Sequence, residues 1–360
     1  MIHFKTLLFF LFLSLTVSAQ KITVNADLES ASAIARLLSG KTVTEQQLTE
    51  TANLYGNQQL IQKVKGHSGA DSSVFKSTLK EVIETGSVKG NDPYNWNKAK
   101  AVLPELHELL KTISQNPSAF SADVARLIEP YTPDSLRLNA RACFLIGGSS
   151  LGFTQGDDPT FNVALQNIGN DLEGLKVLIA HELYHSVQSA GYPLRKRIIT
   201  GDKPTYNEKA TYAILYDLWA EGSASFVGDY SKINSTKPFS QTQKANEKKN
   251  SDRIRTSFYL LETVLYQAYN DPKVNYQQLY NIGFTTEFDE VFYGVGYEIA
   301  RQLVAHHGPE VLSALIVSDP LGFIQQYIQL YQSQEDSKLV RFSSGTEELV
   351  GRMMRWVDRI

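Results

Sequence analysis

His181-Glu182-Leu183-Tyr184-His185 is the stretch of this sequence with the clearest chemistry. Two histidines four residues apart on a helix lie about 40° apart around its axis and about 6 Å apart along it, so both imidazoles can reach one ion. Glu182, one step from His181, flanks that ion without ligating it, where its carboxylate can handle the proton of an attacking water. Imidazoles at this spacing suit Zn2+, and a catalytic zinc wants a third protein ligand and one open position. The metzincin continuation needs Gly at 188 and His at 191, but the sequence has Gln188 and Gly191, and no further histidine appears before His306. A carboxylate is the natural third ligand. Glu221, in Trp219-Ala220-Glu221-Gly222-Ser223, is favoured because small residues around it leave room for the histidine helix to approach. Asp217, about one helical turn earlier, and Glu208, in a polar stretch, are its rivals.

These side chains need rigid carriers. Leu175, Val177, Leu178, Ile179 and Ala180 make the approach to His181 apolar almost all round, which predicts a buried helix. Such a helix gains nothing from His, Glu and His unless something satisfies them, and an ion does. Asn170-Asp171-Leu172-Glu173 marks its start, Gly191 and Pro193 its end. Glu221 falls on a second predicted helix, 208–230. Upstream, Ala142 to Ile146 is an apolar run ended by Gly147-Gly148, and Phe161 to Ile168 alternates apolar with polar residues; both read as strands, the second half-buried. Further helices are predicted at 252–269, 296–306, 309–317, 320–332 and 346–358, while the polar segment 232–252 predicts a mobile surface loop. Residues 26–135 read as a helical block, with Ser72-Ser73 and Gly86 bounding one helix and Leu103, Leu106, Leu110 and Ile113 striping another.

The whole chain has 360 residues, 42% hydrophobic and 20% charged, which excludes disorder and a multi-span membrane protein as global readings. A formal net charge of −3 argues against a nucleic-acid binder. The single cysteine, Cys143, allows no intrachain disulfide. Lys5, the apolar run that follows it and Val17-Ser18-Ala19 predict a signal peptide over residues 1–19, cleaved before Gln20. The expected destination is the periplasm or the medium, with no stable membrane insertion after cleavage, since no later apolar run reaches spanning length.

HELYH followed by a glutamate in an E-G-x-A-x-F setting (Glu221 to Phe226) is similar to the gluzincin division of zinc metallopeptidases. Most closely it resembles exported bacterial zinc-dependent peptidases of unestablished function. The likeness covers the two ligand helices, and more loosely everything from Arg141 onward. It implies His181, His185 and Glu221 as zinc ligands, Glu182 as general base, and a peptide or protein substrate. Glu221 stands 36 positions after His185, further than in thermolysin-like enzymes. The implied architecture is α+β: a zincin-like catalytic domain over 139–360, preceded by a helical region over 20–138. It also implies an edge strand before the metal helix on which an extended substrate pairs, a place taken by Phe161–Ile168. Tyr293-Gly294-Val295-Gly296-Tyr297 opens a predicted helix, and the Tyr297 hydroxyl is the leading candidate to donate to an oxyanion, with Tyr293 as the alternative.

Two other functions compete. Gly148-Ser149-Ser150-Leu151-Gly152 fits G-x-S-x-G, so a serine hydrolase can be drawn with Ser150 as nucleophile and His306 or His307 as base; that motif needs a helix directly afterwards, and Gly156 to Pro159 argue against one. The other competitor is an exported binding protein with a structural or inactive zinc site, against which the retained Glu182 speaks. Cys143 precedes the motif as the cysteine ligand of deformylases does, but its strand-like surroundings predict a buried thiol. His107 is expected on a solvated helix face.

Overall fold

The computed structural model describes residues 21–155, 158–199, 201–333 and 338–360; the signal peptide expected over 1–19 lies outside them. Both halves of the chain build the one sheet found among these residues. β1 (Ile22–Asp27), β2 (Leu138–Leu145), β3 (Gly152–Thr154) and β4 (Thr160–Ala164) lie in the order β1-β2-β4-β3. β1 and β4 run parallel to β2, while β3 pairs antiparallel with β4. Parallel neighbours need a crossover, and the one between β1 and β2 is the helical block from Glu29–Ser39 to Pro117–Ile128. The helix Ser72–Thr85 ends on Gly86 in the left-handed region, and Leu106, Leu110 and Ile113 bury one face of Leu103–Gln115, as their patterns predict. The sequence shows no strand at 22–27 because its alternation is short: Ile22 and Val24 point inward, Thr23 and Asn25 outward. The apolar side chains of both halves form one continuous core.

The expectation for Phe161–Ile168 needs correction. The strand is Thr160–Ala164, followed by a 3-10 turn at Leu165–Asn167, and all five of its residues are buried. It lies between β2 and β3, so β1 and β3 are the sheet's edges. Gly152 allows this, since a Cβ there would stand 2.2 Å from the Phe161 ring. The polar residues of the alternating pattern do not face water. Asn162 Nδ2 donates to the Phe153 carbonyl, and Gln166 accepts from Gly147 N and donates to the Gly148 carbonyl.

On the sheet lies the motif helix, Leu172–Gly191, packed against β2 and β4 on one side and against the ligand helix, Tyr206–Val227, on another. Leu175, Ile179, Ala180, Leu183, Tyr184 and Val187 are buried, as the apolar approach predicts. The segment 232–252, expected to be a mobile loop, is mostly a helix, Pro238–Asp252, which we term the cleft helix. Hydrophobic periodicity misses it because polar contacts hold it. Asp171, the N-cap of the motif helix, accepts from Gly174 N with one oxygen and from Ser240 N with the other. Ser235 Oγ donates to Asp171, Asn234 N donates to Glu173, and Lys244 Nζ donates to the Ile233 and Ser235 carbonyls. The tyrosine helix, Val291–His307, completes the surroundings of the site. No helix among the described residues is long and apolar enough to cross a membrane.

Candidate metal centre

The motif helix presents His181 and His185 toward the ligand helix, which presents Glu221, while Glu182 lines the adjoining cleft. Glu221 Oε2 lies 3.5 Å from His181 Nε2 and 3.4 Å from His185 Nε2. One donor atom from each of the three side chains falls within 4.8 Å of the others, and no other such group of His, Cys, Asp or Glu occurs among the described residues. Asp217, the nearest rival, belongs elsewhere: its carboxylate accepts from Tyr276 Oη at 2.6 Å, and burial pushes it up to about 6. Glu208 closes the capping box of the ligand helix with Thr205 and pairs with Arg355.

The donor set fits a divalent cation. Glu221 Oε2 is buried and makes no hydrogen bond of acceptable geometry, an arrangement that costs free energy unless a positive charge compensates it. Burial opposes ionisation of Glu221, yet the His185 and His181 imidazoles override it and hold the carboxyl far below the usual range. Burial likewise opposes protonation of His185, and Glu221 overrides it, raising His185 to about 9. The three side chains thus form a pocket for positive charge. Two nitrogens and one oxygen are the donor chemistry of catalytic zinc.

Gln188, visible in the sequence only as a break from the metzincin pattern, has a role here. Its Nε2 donates to the Ala220 carbonyl and to Ser223 Oγ, both at 2.9 Å, which orients the amide so that Oε1 faces His185 Nδ1 at 2.8 Å. That network fixes Nδ1 as the donor, so that once Nε2 gives up its proton its lone pair is the one left for a metal. The signal was its position three residues after His185 on the same helix, the spacing of facing side chains. Gln188→Leu should therefore weaken zinc binding by about 10- to 100-fold, the usual effect of losing a partner that orients a ligand. Competition against a chromophoric chelator reads this, and unchanged affinity would show that Gln188 orients nothing.

Glycines set the approach of the helices. A Cβ at Gly222 would stand 2.2 Å from Gly296 Cα, so this pair lets the ligand and tyrosine helices touch backbone to backbone. The small residue after Glu221 thus admits the tyrosine helix, not the motif helix. Gly228 is the one that lies against the motif helix, where a Cβ would meet His181 Cβ at 2.6 Å.

Of the two tyrosines, Tyr293 lies nearer His181, His185 and Glu221. Its ring stacks on His181 with centroids 6.1 Å apart and planes 14° apart. The Tyr297 hydroxyl is instead engaged with Asp229, donating to Oδ2 at 3.0 Å. Both line a cleft of about 660 Å³ that reaches His181 and Glu182 and is walled by the cleft helix and the tyrosine helix. Ser150 is followed by β3, not by a helix, and Asn167 donates to its carbonyl. His306 lies 13 residues beyond Tyr293, about 20 Å along the same helix, exposed and bonded to the Gln302 carbonyl. Among the described residues no hydrogen bond joins Ser150 to His306 or His307, and the helix that the motif needs after Ser150 is absent. Cys143 is buried in β2, with burial pushing its thiol up to about 12, as the strand reading predicts. His107 is exposed, next to Ser39 Oγ.

Residues 48–336 match the sequence model of the family described as "Putative zinc dependent peptidase (DUF5700)". The match covers well over half of the chain, and the chain belongs to this family. No curated protein and no solved structure matches it.

Proposed function

We propose, on the premise of that membership, that the protein is an exported zinc-dependent peptidase of gluzincin type, with His181, His185 and Glu221 as ligands and Glu182 as general base. One observation carries this reading: the buried Oε2 of Glu221, which makes no hydrogen bond, faces two imidazole nitrogens beside a cleft that also holds Glu182. Zinc, when bound, supplies Lewis acidity that eases deprotonation of water and polarises a carbonyl. Glu182 takes the proton of the attacking water and returns it to the departing amine. Tyr293, kept protonated by burial, donates to the oxyanion, while Tyr297 and Asp229 brace the cleft behind it. In this reading residues 139–360 are the zincin-like catalytic part, and region 20–138 lends β1 to its sheet.

Metal analysis with hydrolysis of a mixed peptide library tests the proposal. The expected result is one zinc per chain, with turnover abolished by a chelator and restored by added Zn2+. Zinc without turnover on any peptide would favour the binding-protein reading, and hydrolysis indifferent to the chelator would remove zinc from the mechanism.

Export is a separate claim. It rests on residues 1–19, and N-terminal sequencing of the mature protein should begin at Gln20. Cytoplasmic protein that retains Met1 would overturn it.

A further inference from the structure

Charge in the cleft is not balanced. Its lysines and arginine are already engaged: Lys244 bonds two carbonyls, Lys248 pairs with Asp252 at 2.8 Å, and Arg301 pairs with Glu298 at 2.8 Å. Besides Glu182, two of its carboxylates have no such partner. Among the described residues Glu247 forms no ion pair and accepts only from Tyr230 N at 3.3 Å, and Glu290 forms none and accepts only from Asn250 Nδ2 at 3.4 Å. Nearby lysines do not offset their desolvation. Burial, followed by Asp229, pushes Glu247 up to about 7, and burial pushes Glu290 up as well.

A second observation concerns Asn250 itself. This residue is 7% exposed and lines the cleft, and its Oδ1 is buried with no donor. The amide orientation is not arbitrary, because turning it would set Oδ1 against the Glu290 carboxylate. Asn250 follows Glu247 by three residues on the cleft helix, so the two share a face. Glu290 joins them from the start of the tyrosine helix, in the left-handed region at φ 49°. Asp289 anchors that turn by pairing with Lys249 and Arg253. Asn250 therefore links Glu290, to which it donates, with Glu247 on its own helix face, and among the described residues neither carboxylate is in an ion pair. An ammonium brings three N–H donors and a guanidinium five, with no acceptor on either.

We infer that Glu247, Asn250 and Glu290 form a subsite for a cationic nitrogen group of the substrate, so that the cleft selects peptides carrying Lys, Arg or a free terminal amine near the cleaved bond. The inference deepens the peptidase reading and rests on it for the position of the scissile bond. Charge-assisted hydrogen bonds of this kind are worth a factor of about ten or more in affinity.

Binding separates the subsite from catalysis. Zinc-loaded full-length protein carrying Glu182→Gln is titrated with fluorescent peptides followed by anisotropy. One arm compares N-acetylated peptides containing Lys or Arg with matched norleucine or citrulline peptides; a second compares neutral peptides with free and acetylated N-termini. At least one arm should show the cationic member binding tenfold or more tighter, with the preference weakening as salt is added. Adding Glu290→Gln or Glu247→Gln should remove most of that preference, and having both variants guards against one that folds poorly. No preference in either arm, or a preference that survives both substitutions, overturns the subsite. A charge preference in binding with no hydrolysis of any peptide by the unsubstituted protein supports the subsite and overturns the peptidase reading. Hydrolysis with no preference for charge does the reverse.

Discussion

Replacing Glu182 by Gln is expected to lower peptide turnover by about a hundredfold or more, the scale of a positioned proton-transfer group, while zinc stays bound and the fold stays intact. Glu182 lines the cleft beside His181 and is not one of the three side chains whose donor atoms converge. Gln keeps its size and hydrogen-bonding reach, so the variant removes the base and little else. Zinc content and thermal unfolding measured beside the rate separate loss of chemistry from loss of site. Full activity in this variant would sink the mechanism, since Glu182 is the cleft carboxylate directly next to His181 in the motif.

The second large effect concerns the third ligand. Glu221→Ala should empty the site on dialysis, with activity falling because the metal has left. On the proposed ligand set it removes a coordinating oxygen outright, so the loss should exceed the roughly 10- to 100-fold expected when only an orienting partner is removed. Two imidazoles alone leave the ion short of the three protein ligands a catalytic zinc uses. Asp217→Ala is the control, one turn away on the same helix. Its carboxylate is held by Tyr276, so this variant should keep its zinc and lose some stability as a buried hydrogen bond disappears. Metal retained by Glu221→Ala and lost by Asp217→Ala would put the ligand assignment wrong by one helical turn.

How much of this could be read before the fold was known follows from the range of the interactions. That His181 and His185 lie together was legible because i and i+4 on a helix share a face whatever surrounds them. The burial of their helix was legible too, from an apolar run that no surface helix needs. Glu221 could be picked from its small neighbours, although the reason was partly misread: Gly222 faces Gly296, while Gly228 lies against His181. Contacts between segments distant in sequence leave weaker traces. β1 pairs with a strand more than a hundred residues later, and nothing in six residues of weak alternation states that partner. Phe161–Ile168 shows its alternation but not that a three-residue β3 covers its open side. The cleft helix is polar on nearly every face, because its fixed points are Asp171, Glu173 and backbone carbonyls. Tyr293 and Tyr297 are equivalent in sequence, four residues apart on one helix. Which of them stacks on His181 is decided by how the tyrosine helix is rotated where Gly296 meets Gly222, and only close packing in three dimensions sets that angle.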